Sequence, residues 1–487
     1  MSSNEELRHE RIQKREALIA AGMSVYPSTT GRTHENMQIL QEVLRFIDEK
    51  TEVTVAGRIT AMRLHGGSAF VDLFDGTGKL QLFFSLDAIG EEMFELFTKN
   101  VDIGDFIKAS GSMFVTKRET HALAVKGWAM LTKTLTTIPS EHFGIKDEEE
   151  RFRKRYLDIL LNQELRDLFV LKAKFWDVTR DFMKRHGFLE VETPTIEVTT
   201  GGAEARPFRT HHNDFDMDVY LRICIGELWQ KQLMAAGIPK TFEIGRAYRN
   251  EGTSPEHLQE FTNMEFYWAY ADYRDGMKFV RELYIEIAEK VFGTTKFEAR
   301  GHTFDLADEW KEIDYVGEIE ARTGINVLSA SEDDMKAKLN ELGVKYQGDN
   351  RERLSDTLWK YCRKQISGPA FLMNHPTLVA PLAKSRSDGQ TVEMFQPIIA
   401  GSEVGRGYSE LNDPEDQRRR FEVQQMLLES GDDEAMMPDW EFVEMLEHGM
   451  PPTCGFGFGE RFFAFLVGKP LRETQLFPLM RPKIDSD

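Results

Sequence analysis

Hydrophobic and polar positions along this chain change their period several times, and each change marks an element. Between Thr241 and Tyr273 (TFEIGRAYRNEGTSPEHLQEFTNMEFYWAYADY) the period is two, which predicts β-strands whose alternate side chains face opposite ways. Thr262, Met264, Phe266 and Trp268 make an almost wholly apolar face suited to packing on helices. Phe261, Asn263, Glu265, Tyr267 and Ala269 make the other, and a carboxylate beside a phenol there predicts a cavity. On the preceding strand Glu243, Gly245, Ala247 and Arg249 fall in line, with small side chains that leave room for a ligand. Asn250 to Glu260, with Gly252 and Pro255, reads as a polar loop too long for a tight hairpin. Taken alone, the plainer reading is an amphipathic hairpin with a solvated charged face.

Upstream, residues 51–136 alternate in five short runs split by Asp-Gly and Gly-Gly: TVAGRITAMR, AFVDLFD, GKLQLFF, DFIKASGSMF and ALAVKGWAML. That pattern predicts a small closed barrel of the oligonucleotide-binding (OB) type, a fold that stacks single-stranded bases on aromatic side chains. By pattern alone Phe70 belongs to the barrel core. Glu5 to Ala21 predicts a helix carrying Arg8, Arg11, Lys14 and Arg15, and Leu171 to His186 a second helix ended by Gly187 and followed by the strand FLEVETP. Asp218 to Gly237 reads as strand, turn and helix with Glu227 near the turn, whereas 299–381 is mostly helical and polar with no constellation of chemical groups. In PPTCGFGFGERFFAFLVG, Gly455, Gly457 and Gly459 alternate along a strand and clear one face for a flat ring or phosphates, and Arg461 opens the following helix. With no βαβ unit around it, this is no dinucleotide fingerprint.

Composition narrows the class. A chain of 487 residues holds two or three domains with substantial cores, and a net charge of −20 argues against a protein that coats nucleic acid generally. A local basic face is still enough to meet a phosphate backbone. Cys224, Cys362 and Cys454 lie too far apart for a metal-ligand spacing, which fits a reducing interior. No apolar run has membrane-spanning length and no signal-peptide core opens the chain, so a cytoplasmic location is expected.

The Arg that leaves its strand in YRNEG, the His of the loop, the EFT that follows and the Glu of the return strand resemble motif 2 of the class II aminoacyl-tRNA synthetases. MEFYWAYADY and YSELNDPEDQ are similar to the lysyl branch. Leu171 to Pro194 resembles the dimer-forming motif 1, and the glycine strand with Arg461 resembles motif 3. VAGRITAMRLHGGSAFVDLFDGTGKLQLFF resembles the anticodon-binding barrel, and DEEERFRKRYLD the hinge that follows it. The resemblance implies a multidomain fold: an N-terminal helical extension (1–50), an all-β OB barrel (51–145), a linker (146–165) and an α+β catalytic domain (166–487). That last domain is an antiparallel sheet flanked by helices, with a helical insertion around 299–381.

The resemblance also implies roles. Lysine would be held by Gly202, Glu227, Arg249, Glu265, Tyr267, Arg406, Tyr408 and Glu410, with Glu227 on the α-ammonium and Glu265 with Glu410 on the ε-ammonium. ATP would meet Arg249, Glu251, His257, Phe261, Glu403 and Arg461, with Arg249 and Arg461 catalytic, Phe261 stacked on adenine, and Mg2+ on Glu403 and Gln396. Arg63, Phe70 and Gln81 would meet anticodon bases of tRNA(Lys), and the N-terminal helix is either a tRNA contact or a plain surface helix. The implied enzyme is a homodimer that activates L-lysine with ATP and transfers it to tRNA. Four departures stand out. Arg406 replaces the family's Asn, Gln396 a second metal-binding carboxylate, Glu460 the usual Asp, and RICIGEL is one residue longer than RIAPEL. KRETH (Lys117 to His121) also departs from the family's turn and carries no contact. The rival readings are a paralogue that aminoacylates a protein or small molecule, and a non-catalytic nucleic-acid-binding protein.

Overall fold

The computed structural model describes residues 4–139, 144–203, 205–252, 254, 257–431 and 435–483, so Pro255 of the expected polar loop lies outside the described residues. Two compact units form. One takes in the chain up to Arg151 together with Tyr156–Leu161, the other Phe152–Arg155 and the chain from Asn162 onward.

In the first unit, β1 (Glu52–His65), β2 (Ser68–Phe74), β3 (Lys79–Ser85), β4 (Phe106–Val115) and β5 (His121–Thr132) close into a barrel in the order β1-β2-β3-β5-β4. Alternation decides which side chains enter it. Ala69, Val71 and Leu73 from β2 and Leu80, Leu82 and Phe84 from β3 fill the interior, each large one contributing about 1.5–3 kcal/mol through burial. Phe70 falls in the opposite register. It is half-buried on the outer face, so its assignment to the core is corrected.

The N-terminal helix, Asn4–Ala20, spends two of its four basic side chains on the fold. Arg11 is buried, donating to Thr134 Oγ1 (2.5 Å) and to the Ile103 carbonyl (3.1 Å), and Lys14 pairs with Asp102 at 2.8 Å. The expected linker is helical, Glu148–Arg153 and Arg155–Leu161. Arg155 is buried and gives Nη2 to the carbonyls of Glu473 (2.6 Å) and Gln475 (3.2 Å), which anchors this stretch of chain.

Nine strands among the described residues build the sheet of the second unit. Eight run side by side in the order Lys311–Asp314, Ala370–Met373, Met394–Ile399, Arg406–Ser409, Thr453–Gly459, Glu260–Ala269, Lys240–Tyr248, Leu189–Glu190, and Ser402–Glu403 pairs off Met394–Ile399. Pairing is antiparallel as expected except for two parallel pairs, at either margin. The strand expected over FLEVETP shrinks to Leu189–Glu190. One face meets helices: the Phe266 ring stands 5.4 Å from Phe188, 5.3 Å from Phe279 and 5.8 Å from Phe456. Phe279 lies on the Tyr273–Ile287 helix, which begins at a capping box on Asp272.

The block 299–381 is helical in its middle, where Tyr315–Thr323, Glu332–Glu341 and Arg351–Cys362 share a core of Ile319, Met335, Leu354 and Trp359. Its ends supply two strands of the main sheet, which periodicity over four residues was too short to reveal. Among the described residues no helix is long and apolar enough to cross a membrane.

Candidate functional site

On the polar face of the second unit's sheet lies a cavity of about 410 Å³. Strand register orders its lining. Glu265 sits opposite Gly457, Tyr267 opposite Gly455, Arg406 opposite Gly457 and Tyr408 opposite Gly455. Tyr267, Tyr408 and Glu410 thus gather toward one end, joined by Gly202, Glu227 and Glu265. Phe261 and Arg461 lie toward the other, and Arg249, Glu251, His257, Gln396, Glu403 and Arg406 complete the wall. The structure therefore brings together every site residue expected outside the barrel.

The three alternating glycines make this crowding feasible. A Cβ on Gly455 would fall 2.1 Å from Glu410 Oε1 and 2.7 Å from the Tyr267 ring, and one on Gly457 would fall 2.8 Å from Glu265 Cγ. Side chains of the flanking strands come against the face they clear, and all three glycines still line the cavity. Gly202, at φ +90°, likewise makes way for Glu227 and Cys224. On the neighbouring strand, Glu243 and Gly245 leave room for Arg222, not for a ligand. Arg222 Nη1 meets Glu243 Oε1 at 2.6 Å, and a Cβ on Gly245 would fall 2.2 Å from Arg222 Nη2. In the RICIGEL turn Gly226 lies in the left-handed region (φ 62°, ψ 37°), and the Ile225 amide beside it donates to Glu265 Oε1 at 2.8 Å.

Three carboxylates converge at the acidic end, and the chain supplies one cation among them. Lys231, on the Glu227–Ala235 helix, is 1% exposed. Its Nζ lies 2.7 Å from Glu227 Oε1 and 2.5 Å from Glu410 Oε2, with the rings of Tyr267, Tyr408 and Phe442 5.6–5.9 Å away. Burial opposes that charge, but the pull of Glu227 and then Glu410 raises the lysine pKa. Tyr408 also donates to Glu227 Oε1 at 2.5 Å. Glu265 forms no ion pair among the described residues, although the charge of Arg249 reaches it. It accepts from Ile225 and, at 3.3 Å, from Tyr267, and burial foremost, then Glu227, pushes its pKa up to about 7. Lys231 escaped sequence reading because a lysine on an amphipathic helix reads as solvated; its i,i+4 spacing from Glu227 was the available signal.

Around the rest of the cavity, the Arg249 guanidinium lies 5.3 Å over the Phe261 ring and donates Nε to the Ile223 carbonyl at 3.2 Å. His257 Nδ1 shares a hydrogen bond with Ser254 Oγ at 2.7 Å. Glu460, just ahead of Arg461, accepts from the Thr262 amide at 3.1 Å and pairs with Lys172. Glu403 accepts from Trp359 Nε1 at 2.6 Å and pairs with Arg363 at 3.3 Å. Both partners come from the 299–381 block, to which the sequence assigned no chemistry. Gln396 is buried, and its Oε1 accepts from His375 Nε2 at 2.8 Å. As a setting for Mg2+ this fits best at one point: Glu403 offers a partly exposed carboxylate, while Gln396 offers a neutral, buried amide oxygen that already accepts one hydrogen bond.

The sequence was compared with known proteins. Residues 147–481 match the family of class II tRNA synthetases (D, K and N), and residues 53–131 match the OB-fold nucleic acid binding domain. A lysine–tRNA ligase of Roseiflexus sp. (strain RS-1) is 40% identical, covering 98% of this chain and 99% of that relative. One from Thermotoga maritima is 39% identical over 98% of this chain and 96% of its own length, and one from Halalkalibacterium halodurans 41% over 90% and 88%. The chain belongs to the class II lysine–tRNA ligases. In this class II ligase the barrel carries Phe70, Arg63 and Gln81 on neighbouring strands, with Arg63 opposite Phe70 and Gln81 opposite Asp72. Arg63 pairs with Asp72 at 3.1 Å. The Phe70 ring continues into a row the sequence reading missed, 4.9 Å from Phe83, itself 5.7 Å from Phe114. Period-two alternation could have found both, since each shares the outer face.

Proposed function

We propose that this protein activates L-lysine with ATP and transfers it to tRNA(Lys). A lysine carboxylate oxygen attacks the α-phosphorus, the bond to the β-phosphate oxygen breaks, and lysyl-adenylate and pyrophosphate result. A terminal ribose hydroxyl of the tRNA then attacks the lysyl carbonyl, its proton is lost, and AMP departs. No side chain becomes covalently attached, so the protein's part is positioning and charge neutralisation. The observation that carries this reading is the charge count at the acidic end. Once all three are ionised, Glu227, Glu265 and Glu410 against Lys231 carry a surplus of two negative charges, and lysine brings the two ammonium groups that ionise and balance them. Its carboxylate then falls to Arg249.

In this arrangement Gly202 and Glu227 face the α-ammonium, and Glu265, Tyr267 and Glu410 the ε-ammonium, with Tyr408 along the aliphatic stem. Arg461 and His257 take the outer phosphates, Phe261 the adenine and Glu251 the nucleotide's polar edge. When bound, Mg2+ on Glu403 would screen phosphate charge. Arg63, Phe70 and Gln81 would read anticodon bases, with the Phe83 and Phe114 rings extending the platform. A homodimer through the helix and strand of Leu171 to Pro194 and a cytoplasmic location belong to the same reading. The test is ATP–pyrophosphate exchange with each of the twenty amino acids. Exchange with lysine alone is expected, and exchange with another amino acid, or with none, overturns the assignment.

A further inference from the structure

The Arg406–Ser409 strand alternates: Gly407 and Ser409 are buried toward the helices, and Arg406, Tyr408 and the following Glu410 line the cavity. Arg406 is exposed and has no hydrogen-bond or ion-pair partner among the described residues, although most arginines of this unit are paired. It precedes Gly407, which pairs with Phe395 in an antiparallel register, so it stands next to Gln396 of the neighbouring strand. Trp359 is the donor to Glu403, and His375 the donor to Gln396. The unpaired guanidinium therefore lies on the side of the cavity where the family's metal-binding carboxylates would stand.

That side is short of negative charge for a divalent ion. Gln396 is neutral, and its oxygen already accepts a hydrogen bond from His375. Glu403 already faces Arg363. No cluster of His, Cys, Asp or Glu ligands forms around Glu403 among the described residues; the acids and thiol that do converge, Cys224, Glu227 and Glu265, stand at the acidic end. One Mg2+ needs only one or two carboxylates besides phosphates and water, but a second ion here would have no carboxylate of its own.

We propose that the Arg406 guanidinium takes the phosphate charge that a second divalent cation would otherwise neutralise, so that the nucleotide is held with a single divalent ion, at Glu403. A guanidinium suits the task, because its planar fork of donors matches two phosphate oxygens at once and it stays charged at any working pH. The Gln for carboxylate and Arg for Asn replacements then form one exchange: a pair that recruits a cation gives way to a cation built into the chain. This rests on the proposed binding of ATP.

Two measurements on the full-length protein test it. Electron paramagnetic resonance of Mn2+ titrated into the protein with ATP is expected to count one ion per bound nucleotide; two or more overturns the proposal without any variant. Calorimetric titration of ATP with excess chelator is expected to show binding that Arg406→Asn weakens on the order of 10- to 100-fold, the scale of a lost charge-assisted contact. An unchanged affinity for chelated ATP, or a loss confined to lysine affinity, would mean that Arg406 meets no phosphate or serves the substrate carboxylate, and overturns it. Failure of ATP to bind even with Mg2+ would remove the nucleotide reading itself, and this proposal with it.

Discussion

Charge at the acidic end is settled residue by residue, and Lys231 and Glu265 take opposite parts. Lys231 sits between Glu227 and Glu410 with almost no exposure, so Lys231→Met leaves two buried carboxylates uncompensated. A loss of about 3–5 kcal/mol in unfolding free energy is expected by urea titration, with part of it recovered when Glu410→Gln is added. Glu265, with its pKa raised to about 7, is protonated in the free protein over the pH range just below that value. A group shifted this way favours the folded chain below its unfolded pKa and loses that contribution as pH rises through about 7. An incoming ammonium must ionise it. Lysine binding at pH 6 should therefore release about one proton, read by calorimetry in two buffers of different ionisation enthalpy, and tighten as pH rises toward 7. Equal heats in the two buffers would take Glu265 out of the pocket. Glu265 was legible in the sequence because a carboxylate interrupts a strand face that nothing else explains. Lys231 was not, because only the fold shows that its helix turns that side away from water.

At the level of elements, the Thr453–Gly459 strand is the spacer of the site. Its glycines lie between two strands that both send acids onto the same face. Gly455→Ala would set a methyl 2.1 Å from Glu410 Oε1 and 2.7 Å from the Tyr267 ring. An increase of at least about tenfold in the KM for lysine is expected in the exchange assay, the counterpart of displacing a charged contact, with the KM for ATP little changed. Equal rises in both constants would show a general distortion of the sheet. Alternating glycine marked a cleared face in the sequence. Which side chains would occupy that face depended on the strands pairing to either side, and neighbours in a sheet are not neighbours in the chain. The same limit hid Arg222, which fills the space beside Gly245 from a turn more than twenty residues away.

For the molecule as a whole, a barrel and a synthetase sheet divide the work, and both were readable from period and motif before any contact was known. The outer row of Phe70, Phe83 and Phe114 gives the barrel its own test. Phe70→Ala should lower kcat/KM for tRNA by about 10- to 100-fold, the equivalent of one lost base stack, and leave ATP–pyrophosphate exchange untouched. Loss in both assays would assign the ring to stability alone. Least readable was the 299–381 block, whose four-residue strands carry too few positions to declare a period. It delivers two strands to the sheet and both side-chain partners of Glu403. Crossover points for chimeras with related enzymes are constrained accordingly. A block transplanted alone would arrive with foreign neighbours for Glu403, so recombination that preserves function must move it together with the Met394–Ile399 and Ser402–Glu403 strands.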